Sequence, residues 1–455
     1  MARRVMIAAA GSGCGKTTIS CGLLACLKRR NLRVASCKCG PDYIDTMFHS
    51  RVLSVPSGNL DGFFLEKDGL RELAGRYGKE QDILVLEGVM GYYDGIGMTS
   101  RASSYSIALE TQTPVVLIID CKGMAASIEA VLQGFLQYKN PSMICGVLFN
   151  RLPASLYAPL KEKVEALGII SVGYLPVLPQ DLLFESRHLG LVTAGEIAGF
   201  SSKIEKLSDI MEETISIDAL LEIAGNTGIE DAGEGEEECQ SGQGLRIAVA
   251  KDEAFCFLYE DNLFQLKRRG CELIYFSPLK DGKIPPDCQG LILSGGYPEL
   301  YANELSANIS MLESVRQAVA GGICCLAECG GYLYLHKEIE GSDGICYKMA
   351  DVIDARAYRQ KHLKHFGYVY TFLTKDGILG KKGDYYKAHE FHYLQSDEDG
   401  TALRVEKASG NGCWTTAYMT DTMYAGFPHF FLAGNTGIMD NFIEKMRQAK
   451  SKGQC

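Results

Sequence analysis

No apolar run in the 455 residues is long enough to span a bilayer, and Met1-Ala-Arg-Arg leads directly into strand-like sequence with no signal peptide. A cytoplasmic protein with no membrane partner is expected. Basic residues are in the minority, 46 Lys and Arg against 56 Asp and Glu, for a net charge of −10. That balance argues against nucleic acid or anionic lipid as the main partner. Zinc-type cysteine spacing is missing too. None of the 17 cysteines forms a C-x-x-C pair, and Cys37/Cys39 and Cys324/Cys325 stand too close together. Most of these thiols read as small buried hydrophobes in a reducing compartment. No repeat of solenoid period occurs. The length exceeds what one core usually holds, so two domains are expected.

The most informative stretch that is present is VMIAAAGSGCGKTTIS, Val5 to Ser20. A short apolar run reads as a strand, breaks into Gly11-Ser12-Gly13-Cys14-Gly15, and Lys16-Thr17-Thr18 open a helix. Small residues let backbone N–H groups approach a polyphosphate. The helix N-terminus adds a favourable dipole, Lys16 adds charge, and the Thr17 hydroxyl can ligate magnesium. Ala10 stands where the strict phosphate-loop pattern has glycine. Strands and helices then alternate: strands at 34–38, 83–87, 114–120, 144–150 and 169–175, with helical stretches between them. This predicts a doubly wound parallel sheet with ligands beyond the strands' carboxyl ends. Asp42 and Asp45, in CGPDYID, are expected on a loop there. Glu87 closes ILVLE ahead of the turn GVMGYYDG, which carries Asp94. A carboxylate at that place orients magnesium or its waters, or else caps a turn. Lys38 is a candidate for neutralising phosphate charge, and Asn150 for bonding a nucleotide base or capping its own turn.

Residues 226–244, NTGIEDAGEGEEECQSGQG, are acidic, glycine-rich and nearly empty of large apolar side chains, which is linker composition. Domains at 1–225 and 245–455 are therefore expected. The second begins with the strand-like LRIAVA and has the α/β pattern again. In GICCLAECGGYLYL a hydrophobic strand runs into Glu328-Cys329-Gly330-Gly331 and a helical pattern follows. A nucleophile held in such an elbow sits at a helix start, exposed, with glycines where side chains would collide. It wants an imidazole base. His429, after a late strand-like segment, is the leading candidate, with His389 and His392 of AHEFHYL next; their spacing is not that of a zinc helix. Gly295, Gly296 and Gly330 are candidates for offering backbone N–H groups to an oxyanion.

Taken in order, AAAGSGCGKTT, KCGPDYID, LEGVMGYYDG, GGYPEL, AECGGYLYL and AHEFHY resemble the cobyrinic acid a,c-diamide synthases. The likeness spans nearly the whole chain. It implies an α/β fold with a dethiobiotin-synthetase-like P-loop domain followed by a class I glutamine amidotransferase domain. It further implies Cys329 as glutaminase nucleophile and His429 as its base, with Gly11, Ser12, Gly13, Gly15, Lys16 and Thr17 around ATP. Thr17, Asp45 and Glu87 would manage Mg2+, and Asp42, Asp45, Glu87 and Asp94 the substrate carboxylate. The implied cosubstrates are ATP and L-glutamine, and the implied partner is a corrinoid or related tetrapyrrole, with a homodimer left open. Amidation of the c and then the a acetate through acyl phosphates, in cobalamin biosynthesis, is the implied reaction. Nickel-sirohydrochlorin and hydrogenobyrinic acid a,c-diamide synthases share the motifs, and a ParA/MinD-like ATPase switch is a remote alternative whose loop carries a lysine where Gly11 stands. Phe431 occupies the place, two residues after the imidazole, where many glutamine amidotransferases carry glutamate. A Cys–His dyad is expected here.

Overall fold

The computed structural model describes residues 2–184, 194–225, 240–360, 365–410 and 412–451. The chain divides into two compact units, Met1–Gly235 and Glu236–Cys455. Most of the expected linker, 226–239, lies outside the described residues. No helix among the described residues is long and apolar enough to cross a membrane.

The first unit is a seven-stranded, wholly parallel sheet. Its strands are β1 (Arg3–Ala9), β2 (Val34–Cys39), β3 (Ser57–Leu60), β4 (Ile83–Glu87), β5 (Val115–Asp120), β6 (Ile144–Asn150) and β7 (Ile170–Leu175). They lie in the order β3-β2-β4-β1-β5-β6-β7. Strands buried on both faces read as continuous apolar runs, which is why β1, β4 and β5 were legible. The short edge strand β3, Ser-Gly-Asn-Leu, carries no such signal and is an addition to the expected sheet. On one face, Leu23, Leu24 and Leu27 of the helix Lys16–Arg29 pack with Leu207, Met211 and Leu220 from the last two helices of the unit. Strand register sets the functional edge: β2 pairs with β4 so that Lys38 lies beside Glu87.

The second unit is built on β8 (Arg246–Ala250), β9 (Glu272–Phe276), β10 (Gly290–Leu293) and β11 (Cys324–Glu328). After these come β12 (His336–Glu340), β13 (Cys346–Lys348), β14 (Ile353–Arg359), β15 (Phe366–Leu373), β16 (Tyr385–Phe391) and β17 (Leu394–Ser396). The last are β18 (Leu403–Lys407), β19 (Cys413–Thr416), β20 (Tyr418–Met419), β21 (Met423–Gly426) and β22 (His429–Phe430). The central sheet runs β20-β21-β11-β10-β8-β9, and two further sheets, β13-β12-β14-β17 and β19-β18-β15-β16-β22, flank it. Those flanking sheets are an addition to the α/β pattern of the sequence. The parallel pair β11–β21 puts Glu328 beside Gly426, three residues before His429.

His336 ties the elbow to the flanking sheet. Its Nδ1 donates to the Tyr332 carbonyl at 2.9 Å and its Nε2 meets the Ser396 hydroxyl at 2.8 Å. Burial, first of all, pushes its pKa down to about 4. An unfolded chain takes up a proton near the ordinary histidine value and the folded chain does not, so stability contributed above that value is lost as the pH falls toward 4. Between about pH 7.5 and about pH 5.5 the folded chain should lose about 1 kcal/mol through this ring. Denaturant unfolding at the two pH values, compared with His336→Asn, should show the shallower dependence in the variant; parallel curves would contradict the assignment.

Candidate active sites

The phosphate loop closes over the end of β1. Gly15 holds φ +88°, and a Cβ there would stand 2.5 Å from Asn150 Nδ2, so only glycine fits. Asn150 donates that same amide to the Cys14 carbonyl at 2.9 Å. Its side chain thus props the loop. Lys16 Nζ donates to the carbonyls of Gly11 (3.1 Å) and Met90 (2.5 Å). Burial, and then the nearby charge of Lys38, lower its pKa. Ser12 and Gly13 face solvent, open to a ligand.

Beneath the loop is a buried charge cluster. Lys38 Nζ bridges Asp45 Oδ2 (2.5 Å) and Glu87 Oε1 (2.7 Å). Thr17 Oγ1 donates within reach of both carboxylates, 3.0 Å from Glu87 and 3.3 Å from Asp45. Burial alone would discharge Lys38, yet Asp45 and Glu87 outweigh it and hold its pKa well above the ordinary value. Burial likewise pushes the Glu87 carboxyl up, against the pull of Lys38. The oxygen set of Thr17, Asp45 and Glu87 suits a hard divalent cation.

Two expectations about this edge change. The segment after Asp42 is a helix, Tyr43–Arg51, and not a loop. Asp42 caps it, Oδ1 accepting from Ile44 N (2.9 Å) and Asp45 N (3.2 Å), and burial followed by the Asp45 charge raises its pKa to about 6. Asp45 therefore reaches the cluster from a first helical turn. Asp94 shares no described contact with the cluster: its Oδ2 accepts from Gly91 N at 3.1 Å and closes its own turn. His49 also faces this cluster. One helical turn after Asp45, its Nε2 lies 3.5 Å from Glu87 Oε2 and its Nδ1 3.1 Å from Ser36 Oγ. The D-x-x-x-H spacing on one helix face was the available signal.

The second site stands on β11. Cys329 has φ +45° and ψ −100°, a strained conformation for a residue with a side chain, and the helix Gly330–Tyr334 follows at once. A Cβ at Gly331 would meet the Leu293 carbonyl oxygen at 2.0 Å, so the elbow helix can cross β10 only with glycine there. Cys329 itself is 5% exposed. The buried His429 ring hydrogen-bonds the Cys329 thiol, and its Nδ1 is 3.4 Å from Glu328 Oε2. Burial opposes its charged form, but the interactions with Cys329 and Glu328 outweigh burial and raise its pKa to about 10. Glu328 Oε1 is pinned by the Phe430 N–H at 3.2 Å. The expected dyad is thereby corrected: a carboxylate does back the imidazole, and it comes from the residue before the nucleophile. Gly295, Gly296 and Gly330 converge here, since a Cβ on Gly295 would meet His429 Cε1 at 2.5 Å and one on Gly330 would meet Gly296 N at 2.9 Å. His389 pairs across strands with His429. Burial, and then the His429 charge, lower its pKa to about 3.

Comparison with known proteins finds two domain families along the chain. Residues 5–189 match the family model of the CobQ/CobB/MinD/ParA nucleotide binding domain, and residues 246–436 that of the CobB/CobQ-like glutamine amidotransferase domain. The cobyrinate a,c-diamide synthase of Caldanaerobacter subterraneus subsp. tengcongensis is 38% identical over 449 residues, 98% of this chain and 98% of that protein. Those of Priestia megaterium and Salmonella typhimurium are 37% and 36% identical, each with 98% of its own length covered. The chain belongs to the cobyrinate a,c-diamide synthase family. As a member of that family it is an enzyme, a carbon–nitrogen ligase with a glutamine amidotransferase domain. The nucleotide-binding model alone also covers MinD and ParA. The full-length likeness to cobyrinate a,c-diamide synthases, glutamine amidotransferase unit included, is what sets this chain apart from a ParA/MinD-like switch.

Proposed function

We propose that the protein amidates the c and then the a acetate carboxylate of cobyrinic acid, with ATP and glutamine, in cobalamin biosynthesis. The observation that carries this reading is the presence on one chain of a thiol–imidazole–carboxylate set and a phosphate loop over a carboxylate cluster. A carboxylate does not lose oxide to ammonia. Phosphorylation solves this: the acetate oxygen attacks the γ-phosphorus, ADP leaves, and ammonia then displaces phosphate from the acyl phosphate. Lys16 and the loop N–H groups stabilise the charge on the transferring group. Thr17, Asp45 and Glu87 would hold Mg2+, which supplies further neutralisation of phosphate charge. Lys38 holds Asp45 and Glu87 together in the free protein. At the other centre Cys329 attacks the side-chain amide of glutamine, His429 protonates the departing ammonia, and water hydrolyses the thioester. Gly295, Gly296 and Gly330 are proposed to line the oxyanion position, and Asn150 to set the loop that receives ATP.

Incubation with cobyrinic acid, ATP, Mg2+ and glutamine carrying 15N in its amide tests the reading: the product should contain two labelled amides. Nickel-sirohydrochlorin and hydrogenobyrinic acid run in parallel decide the macrocycle. Preferential turnover of either would contradict cobyrinic acid as the substrate.

Glu328→Gln keeps an acceptor for Phe430 N–H but loses the charge behind His429. Glutamate release should fall about 10-fold to 100-fold in kcat, with the imidazole pKa shifted down, while synthesis from free ammonia is spared. A kcat against pH profile identical to that of the unaltered chain would remove Glu328 from the mechanism.

A further inference from the structure

The Phe391 carbonyl oxygen lies 3.9 Å from the Cys329 sulfur. Its sequence neighbours, Glu390 and His392, carry polar side chains only 1% and 5% exposed, and the reaction above uses neither. Both carboxylate oxygens of Glu390 and Nε2 of His392 are buried, with no hydrogen-bond partner among the described residues. The tautomer follows from the other ring nitrogen. His392 Nδ1 is 2.6 Å from the Leu394 carbonyl oxygen, which can only accept, so Nδ1 carries the hydrogen. The ring turns Nε2 toward Glu390. It is held there by stacking on Phe427 at 3.6 Å and 5°, and Phe427 packs edge-on against Tyr332 of the elbow helix. Nε2 and Glu390 Oε2 stay 3.7 Å apart, too far for a direct N–H···O bond. Protonating Nε2 would therefore still leave the carboxylate unsatisfied.

Buried polar atoms without a partner among the described residues are costly, and those of a carboxylate most of all. The arrangement calls for a small ligand that brings several donors. We infer that Glu390 and His392 form a binding site for ammonia, the nitrogen released at Cys329. Ammonia donates one N–H to Glu390 Oε2 and one to His392 Nε2 and keeps its lone pair free; no covalent bond forms or breaks there. The site rests on the glutaminase reading given above. The ammonium head of glutamine carries the same donors, so the test separates the two.

The full-length Glu390→Gln and His392→Phe variants are assayed with cobyrinic acid, MgATP and amide-15N glutamine in medium containing unlabelled ammonium. The readout is labelled amide formed per glutamate released. The unaltered chain should give a ratio near one, and both variants a ratio at least threefold lower. An unchanged ratio overturns the site. A raised KM for glutamine with the ratio intact overturns it too, by assigning the pair to the amino acid's head group. A second measurement needs no variant: ammonium chloride should raise the unfolding temperature above that in equal tetramethylammonium chloride, which has no N–H, and equal melting overturns the site. If the unaltered chain releases no glutamate, the glutaminase reading fails, and the salt comparison still decides the site.

Discussion

Cys329→Ala should abolish synthesis from glutamine, by about a thousandfold or more, and leave synthesis from ammonia at alkaline pH close to that of the unaltered chain. On the proposed reading the thiol is the group that attacks the amide carbon. His429 and Glu328 act through it, so neither compensates for its loss. Neighbouring Cys325 does not substitute, since it is fully buried in β11, and burial raises its thiol pKa far above the usual range. Alanine inherits the φ of +45°, so the elbow keeps its strain and its shape. Free ammonia enters after the glutaminase step and requires only the phosphorylating site. Measuring amide formation with each nitrogen source checks this; loss of both activities in a folded variant would contradict the separation of roles.

Lys16→Met should produce the complementary defect. Amide formation from glutamine and from ammonia should both fall about a thousandfold or more, because the transferring phosphoryl group loses the charge of Lys16. Glutamate release should persist, since the thiol centre does not use ATP. Lys16 is a cleaner choice than Glu87. Removing the Glu87 charge would leave Lys38 and His49 buried against a neutral partner, and breaking a buried pair costs about 3–5 kcal/mol. Folding and chemistry would then be confounded. Lys16 is hydrogen-bonded to backbone carbonyls of Gly11 and Met90, and methionine keeps its apolar stem. Retained ammonia-dependent synthesis in Lys16→Met would remove the phosphate loop from the reaction.

The parts of this fold that the sequence discloses are those governed by local rules. A buried parallel strand followed by glycines and a helix start leaves a continuous signature, so β1 with its loop and β11 with its elbow were both readable. Asp45, Glu87, Lys38 and Thr17 were singled out separately, but their convergence on one cluster depends on the β2–β4 register and on the helix after Asp42. Short-range patterning does not encode that register. The role of Glu328 is not legible locally: the family pattern points downstream of His429, to Phe431, whereas the parallel pairing of β11 with β21 delivers the carboxylate from the other side. The flanking antiparallel sheets are short, half-polar strands whose partners lie far along the chain, and alternation alone does not fix such pairings.

The central claim is that one site activates a carboxylate by phosphorylation while the other supplies the nitrogen. It is tested most directly by substrate labelled with 18O in its acetate carboxylates. Turned over with MgATP and glutamine, it should pass one labelled oxygen to inorganic phosphate for every amide formed. Phosphate free of label, with amides accumulating, would contradict it.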